Sequence, residues 1–116
     1  MDDLMFLRGE FAAGEETFLG RLRPDFVWDK PAFSRLEQAM RRVCAEFECR
    51  EELPRWLVDG FWCCAAWVKD WTGHPDFPRP EPVEYYEKAM ERFQDLQYWF
   101  VMGESPHQPG AAWEEL

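Results

Sequence analysis

Apolar residues recur every three or four positions in three long stretches of the chain, and each stretch predicts an α-helix. The predicted helices cover about residues 31–48, 54–71 and 82–102. The first and third carry an apolar stripe on one side, whereas the middle one is apolar around most of its circumference. A helix of that second kind is normally buried in the middle of a fold, so we expect the other helices to pack around it.

Proline and glycine mark the ends of these three helices. Pro31, Pro54 and Pro82 stand near their first residues, each preceded closely by an acidic side chain, and proline is tolerated in the first turn because no intrahelical donor is needed there. Gly73 and Gly103 follow the last apolar positions of the second and third helices, where glycine is typical of a helix C-terminus. Proline-rich, irregular connections are therefore expected between antiparallel helices.

The two ends of the chain have weaker patterns. A short helical turn at Leu4–Leu7 and a short helix at Glu15–Leu22 are predicted near the N-terminus, followed by an extended segment at 25–28. Residues 104–116 contain prolines, a glycine and acids, which predicts a loosely packed tail that Trp113 could dock. The predicted fold is all-α, a compact bundle of three main helices with a short N-terminal helix, and residues 1–116 fit one domain.

Charge changes which partners are plausible. The chain has 13 basic and 23 acidic residues, a net charge of −10 and an isoelectric point near 4.6. Direct binding to nucleic acid or to an anionic membrane surface relies on Lys and Arg, so both are disfavoured. The acidity favours a protein partner with a basic surface, although it also serves to keep an aromatic-rich protein soluble.

The sequence favours a cytoplasmic location. Acids stand at positions 2 and 3, where a secretory signal needs basic residues, and no apolar run approaches the length of about 20 residues that a membrane span needs. In that compartment Cys44, Cys49, Cys63 and Cys64 are expected to be reduced thiols, packed as small hydrophobic side chains.

No pattern in the sequence predicts catalysis, a metal site or a cofactor. The cysteine spacings differ from the short-range ligand pairs of zinc sites, and the two histidines lie far apart in predicted loops. The adjacent Cys63 and Cys64 lie among aromatic and small residues, which favours burial over a redox role. A metal-dependent or small-ligand enzyme is the least favoured hypothesis.

Two groups of residues are candidate contacts for a partner. Trp62, with Val58 and Ala66, falls on the polar side of the most apolar helix. In so small a domain, we favour the arrangement in which the N-terminal residues cover Trp62. If Trp62 is instead exposed, it is a candidate interface residue, because Trp is enriched among interface hot spots. Phe77 and Arg79 lie in the proline-rich loop, which is stiff enough to present side chains at low entropic cost.

The sequence therefore predicts a non-catalytic binding module, such as an adaptor, an immunity-type inhibitor or a small assembly subunit. Association of two copies would use the same aromatic residues. The alternative is mimicry of nucleic acid by the acidic side chains of the third helix, which step by three or four positions: Glu84, Glu87, Glu91 and Asp95, with Glu81 ahead of them. The interleaved Lys88 and Arg92 argue against it.

Overall fold

The computed structural model describes residues 2–108 and 112–116, which contain five α-helices and no β-strand. The helices are α1 (Asp3–Phe11), α2 (Phe18–Leu22), α3 (Lys30–Phe47), α4 (Arg55–Thr72) and α5 (Val83–Met102). The predicted all-α bundle of three main helices is confirmed. None of the helices in the described residues combines the length and the apolar character that a membrane span requires.

Side-chain caps and glycine set several of the helix boundaries. The Asp29 carboxylate accepts a hydrogen bond from the Ala32 N–H at 3.1 Å and fixes the start of α3. The helices α4 and α5 begin after Pro54 and Pro82, which have extended backbones and no side-chain cap. Gly103 ends α5 in the left-handed conformation with φ of 78°, which glycine adopts without the strain that a side chain would add.

The core lies where α4, α5 and α3 meet, and every helix contributes to it. The rings of Phe61 in α4 and Phe100 in α5 stack with centroids 4.4 Å apart. Phe18 of α2 packs edge-to-face on Trp28 and Phe33, which brings the N-terminal segment onto α3. The expectation that the other helices pack around α4 is wrong, because α4 packs on α5 and on the end of α1, whereas α3 packs on α1, α2 and α5.

The N-terminal helices differ from the predicted ones. α1 continues through Gly9 to Phe11, and α2 begins at Phe18 rather than at Glu15. The later start of α2 has a local cause, since the Thr17 hydroxyl accepts a hydrogen bond from the Gly20 N–H at 3.0 Å, and Thr17 itself is extended.

Gly60 explains how α1 reaches α4. A Cβ atom at this position would overlap the ring of Phe11, so the missing side chain leaves the space in which that ring sits. Glycine in the middle of a helix indicates a close approach by another part of the chain. At Gly60 the residue that approaches is Phe11, the last one of α1.

The end of the predicted tail is held against the bundle. The Trp113 ring stacks on Trp99 with centroids 5.4 Å apart and planes inclined by 11°. Residues 109–111 of that tail lie outside the described residues. The segment from 112 to 116 is therefore docked through Trp113 rather than loosely packed.

Candidate interaction site

Trp62 lies on the outer side of α4 with 56% of its surface exposed. Val58 and Ala66, one turn before and after it, are half-buried. The favoured arrangement, in which the N-terminal residues cover Trp62, is wrong. The end of α1 packs instead on the side of α4 that carries Trp56 and Gly60, because Gly60 is where the bulky Phe11 ring fits.

The surface around Trp62 continues onto α5. The two helices run antiparallel, with Phe61 stacked on Phe100, and the Gln94 amide donates a hydrogen bond to the Ala65 carbonyl at 2.6 Å. These two pairings fix which positions of the helices face each other. Trp62 lies between these two pairings, so it is level with about position 98 of α5.

The pairing of α4 with α5 places two more exposed apolar side chains, both from α5, near Trp62. Tyr98 and Val101 are 43% and 49% exposed and occupy the outward side of α5 next to α4. Val101 lies level with Val58, as Tyr98 does with Trp62. We call the surface formed by Val58, Trp62, Ala66, Tyr98 and Val101 the α4–α5 patch.

Sequence patterns alone missed the contribution of α5. Val101 belongs to no apolar stripe of its own helix, and Tyr98 lies at the edge of one. The two become part of a shared surface only through the pairing of α4 with α5. The sequence does show an outward apolar residue on each of two antiparallel helices. Only the register of the two helices reveals that these residues lie next to each other.

Charged side chains of both signs occupy the outward positions near this patch. Arg55, Asp59 and Lys69 are exposed on α4, and Glu91 is exposed on α5. The apolar area is thus bounded by polar groups, which is the usual arrangement of an interface with an apolar centre and a polar rim.

The loop residues predicted as contacts behave differently from the α4–α5 patch. Phe77 is only 3% exposed, with its ring facing Phe26, so it belongs to the core and does not form part of an exposed surface. Arg79 is exposed, and its Nη1 donates to the Thr72 and Gly73 carbonyls at 3.4 and 3.3 Å. It satisfies carbonyl groups that the end of α4 leaves without intrahelical partners.

The four cysteines are free thiols in different environments. Cys44 and Cys64 are buried, and burial raises the pKa of both thiols well above the ordinary value. Cys63 is half-buried, and its pKa is raised by burial and by the charge of Asp59. Cys49 is exposed because it lies just beyond the end of α3, so the expectation that all four pack inside is wrong for this residue.

The titratable side chains form no metal-binding cluster in the described parts of the chain. There, no three His, Cys, Asp or Glu side chains are placed to hold one ion. His107 contacts Asp95 at 3.3 Å and forms a T-shaped pair with the Trp113 ring, whereas His74 lies near Asp76 at 3.9 Å.

The acidic line of α5 is less interrupted in the structure than in the sequence. Glu84, Glu87 and Glu91 are exposed. Lys88 is bound by the Glu114 carboxylate at 2.7 Å, and Arg92 is buried against Glu37.

Comparisons of the chain with known protein families, with curated proteins and with solved structures give no match.

Proposed function

We propose that this protein is a non-catalytic protein-binding module whose α4–α5 patch contacts a partner protein with a basic surface. The observation that carries the proposal is the exposure of Trp62 on α4, a helix that packs on α5 and on the end of α1. A Trp side chain that is over half exposed keeps a large apolar area in water, which burial against a partner would remove.

The composition and placement of the patch support this role. Trp and Tyr are enriched among the residues that contribute most to binding, and Trp62 and Tyr98 lie level with each other on adjacent helices. The helices that carry them are packed through Phe61 and Phe100, so the side chains stand on a rigid base. Little backbone ordering would then oppose association.

The net charge of −10 supports a basic partner, since complementary charge increases the rate of encounter and disfavours acidic competitors. We further propose a cytoplasmic setting, which is consistent with four free cysteines. An adaptor, an inhibitor of the immunity type and a small assembly subunit would each use such a surface.

A capture experiment with matched variants tests the proposal. The tagged wild-type chain, Trp62→Glu and Val83→Glu are incubated with nuclease-treated extract of the native cell at low and high salt. Val83 is 59% exposed at the opposite end of α5 and is a control for adding a carboxylate to an exposed apolar position. We expect a stoichiometric partner on the wild type and on Val83→Glu that is absent from Trp62→Glu.

Retention of the same partner on a folded Trp62→Glu variant would contradict a role for the patch. Size-exclusion chromatography of the purified proteins distinguishes association of two copies. A wild-type dimer that Trp62→Glu converts to a monomer would show that the patch is occupied by a second copy instead of a foreign protein.

A second candidate function, mimicry of nucleic acid, is favoured by the partners of Lys88 and Arg92. Both basic side chains form ion pairs with carboxylates of this chain. Glu84, Glu87 and Glu91 therefore remain as a run of exposed negative charge along α5. Such a run would bind a phosphate-binding groove through charge. A captured partner that DNA displaces, and whose binding falls steeply with salt, would favour mimicry, whereas salt-insensitive binding would exclude it.

A further inference from the structure

The C-terminal segment from 112 to 116 covers a surface built by α3 and α5, on a different part of the molecule from the α4–α5 patch. Trp113 stacks on Trp99, and the guanidinium carbon of Arg92 lies 5.1 Å from the centroid of the Trp113 ring. The indole of Trp113 thus contacts both an aromatic ring and a cation, a combination that is selective for aromatic side chains.

Two polar contacts accompany the aromatic one. The Nη2 group of Arg92 donates to the main-chain carbonyl of Glu114 at 2.5 Å, and Lys88 Nζ lies 2.7 Å from the Glu114 carboxylate. The first contact would accept any residue that follows the aromatic one. The second selects an acidic residue, so the surface recognises an aromatic side chain followed by a carboxylate.

Apart from His107, whose ring also contacts Trp113, the surface is organised by side chains of α3 and α5 and by Glu48 at the end of α3. Arg92 is fixed by its ion pair with Glu37, and both side chains are buried. The Trp99 indole N–H donates to the Glu48 carboxylate at 2.8 Å. These contacts would hold Arg92 and Trp99 in place after the segment departs, which leaves a preformed site on two rigid helices.

We propose that this surface is a docking site for a peptide segment of a partner protein in which an aromatic residue precedes an acidic one. The C-terminal segment of the chain occupies the site and competes with the partner. The chemistry of the occupant is read from the segment seated there, and from the positive charges of Lys88 and Arg92 beneath it in a protein that is acidic elsewhere. This proposal is independent of the proposed role of the α4–α5 patch.

Competition by the segment has a measurable size. A covalently attached segment acts at an effective concentration in the millimolar range, so a free peptide meets a site that is mostly occupied. Removing the anchoring indole should therefore increase the affinity of the full chain for a free peptide.

The test uses fluorescence anisotropy with a labelled peptide of sequence AWEEL, which corresponds to residues 112 to 116. The receptors are the full-length wild type and full-length Trp113→Ala, each checked for fold by circular dichroism. We expect the peptide to bind Trp113→Ala at least tenfold more tightly than the wild type. A control peptide AAEEL should not bind either receptor, and adding Lys88→Glu to Trp113→Ala should weaken AWEEL binding severalfold.

A folded Trp113→Ala chain that does not bind AWEEL, or that binds it no more tightly than the wild type, would overturn the proposal. A wild-type dimer that Trp113→Ala abolishes would also overturn it, in favour of segments exchanged between two copies. If Trp113→Ala does not fold, full-length Glu114→Lys replaces it as receptor. That variant places a cation beside Lys88, which weakens the docking of its own C-terminal segment. Its affinity for AWEEL should therefore rise severalfold, and an unchanged affinity would refute the proposal.

Discussion

Arg92 of α5 and Glu37 of α3 form an ion pair in the interface between the two helices. Glu37 is 2% exposed, and its carboxylate also lies 2.7 Å from the Nε atom of Arg41. The buried carboxylate is therefore the counter-charge of two guanidinium groups. Removing one member of such a group leaves buried charge without compensation, which costs more than the net gain from forming the pair.

We therefore predict that Glu37→Ala lowers the free energy of unfolding by about 3 to 5 kcal/mol. The double variant Glu37→Leu/Arg92→Leu should lose clearly less unfolding free energy than Glu37→Ala, because it removes both charges of the pair. Urea denaturation followed by circular dichroism measures both values. The single variants Glu37→Leu and Arg92→Leu complete the cycle, and a double variant whose loss of unfolding free energy equals the sum of their losses would show that Glu37 and Arg92 are not energetically coupled.

Gly60 gives a second prediction, in which steric overlap competes with helix propensity. Alanine in place of a mid-helix glycine normally stabilises by about 1 kcal/mol, but here the new methyl group would overlap the Phe11 ring. Displacing that ring disturbs the contact between α1 and α4, and overpacking of this kind costs about 1 to 3 kcal/mol. We expect Gly60→Ala to unfold at a lower temperature than the wild type.

Phe11→Ala/Gly60→Ala provides the matched control for this steric explanation. The methyl group added at position 60 no longer meets a ring in this double variant, so adding Gly60→Ala to a Phe11→Ala background should be neutral or stabilising. A destabilisation of equal size in both backgrounds would mean that the Phe11 ring is not the cause.

The contrast between Gly60 and Trp62 shows how far the sequence predicts this structure. Local signals define the long helices, because the spacing of apolar residues and the proline and glycine positions act within one or two turns. A glycine in the middle of α4 indicates that another helix can approach at position 60. It does not say that Phe11 fills that place, and the position of α1 decides whether Trp62 is covered.

Phe77 illustrates the same limit in a loop. Its neighbours Pro75 and Pro78 exclude a regular helix, which the sequence shows. Its buried ring faces that of Phe26, which stands far earlier in the chain. Contacts over such separations depend on the complete fold, so the apolar character of a loop residue could not distinguish a core position from an exposed contact.

Glu10 should make the stability depend on pH. The side chain is buried and accepts a hydrogen bond from the Phe18 N–H at 3.2 Å. Burial raises the pKa of this carboxyl group to about 7, against the opposing effects of that hydrogen bond and of the Arg35 charge. The folded state therefore holds a proton that the unfolded state releases from about pH 4.5.

Because the folded state binds the proton more tightly, this group's contribution to the free energy of unfolding is greatest below about pH 4.5. It falls as pH rises towards about 7, by roughly 2 to 3 kcal/mol. Glu10→Gln removes the titration and keeps an acceptor for the Phe18 N–H. Denaturation of both proteins is measured between about pH 4.5 and 8. As the pH rises, the free energy of unfolding of the wild type should decrease relative to that of the variant. Parallel profiles would contradict the prediction.

The thiols should react in the order of their exposure. Cys49 is exposed, and we expect it to react first with an aromatic disulfide reagent under native conditions. Cys63 should follow more slowly, and the buried Cys44 and Cys64 only when the protein unfolds. Cys49→Ser should remove the fast phase alone. A fast phase that persists in this variant would place a second reactive thiol at the surface.

Trp62 and its neighbour Phe61 lead to opposite predictions about stability. Phe61 is fully buried against Phe100, so Phe61→Ala should cost about 3 to 5 kcal/mol of unfolding free energy. Trp62 is more than half exposed, and Trp62→Glu should cost about 1 kcal/mol or less while leaving the helical content unchanged. Urea denaturation of the two variants measures this difference. A Trp62→Glu chain as unstable as Phe61→Ala would mean that Trp62 stabilises the fold, and loss of partner capture could then not be assigned to the α4–α5 patch.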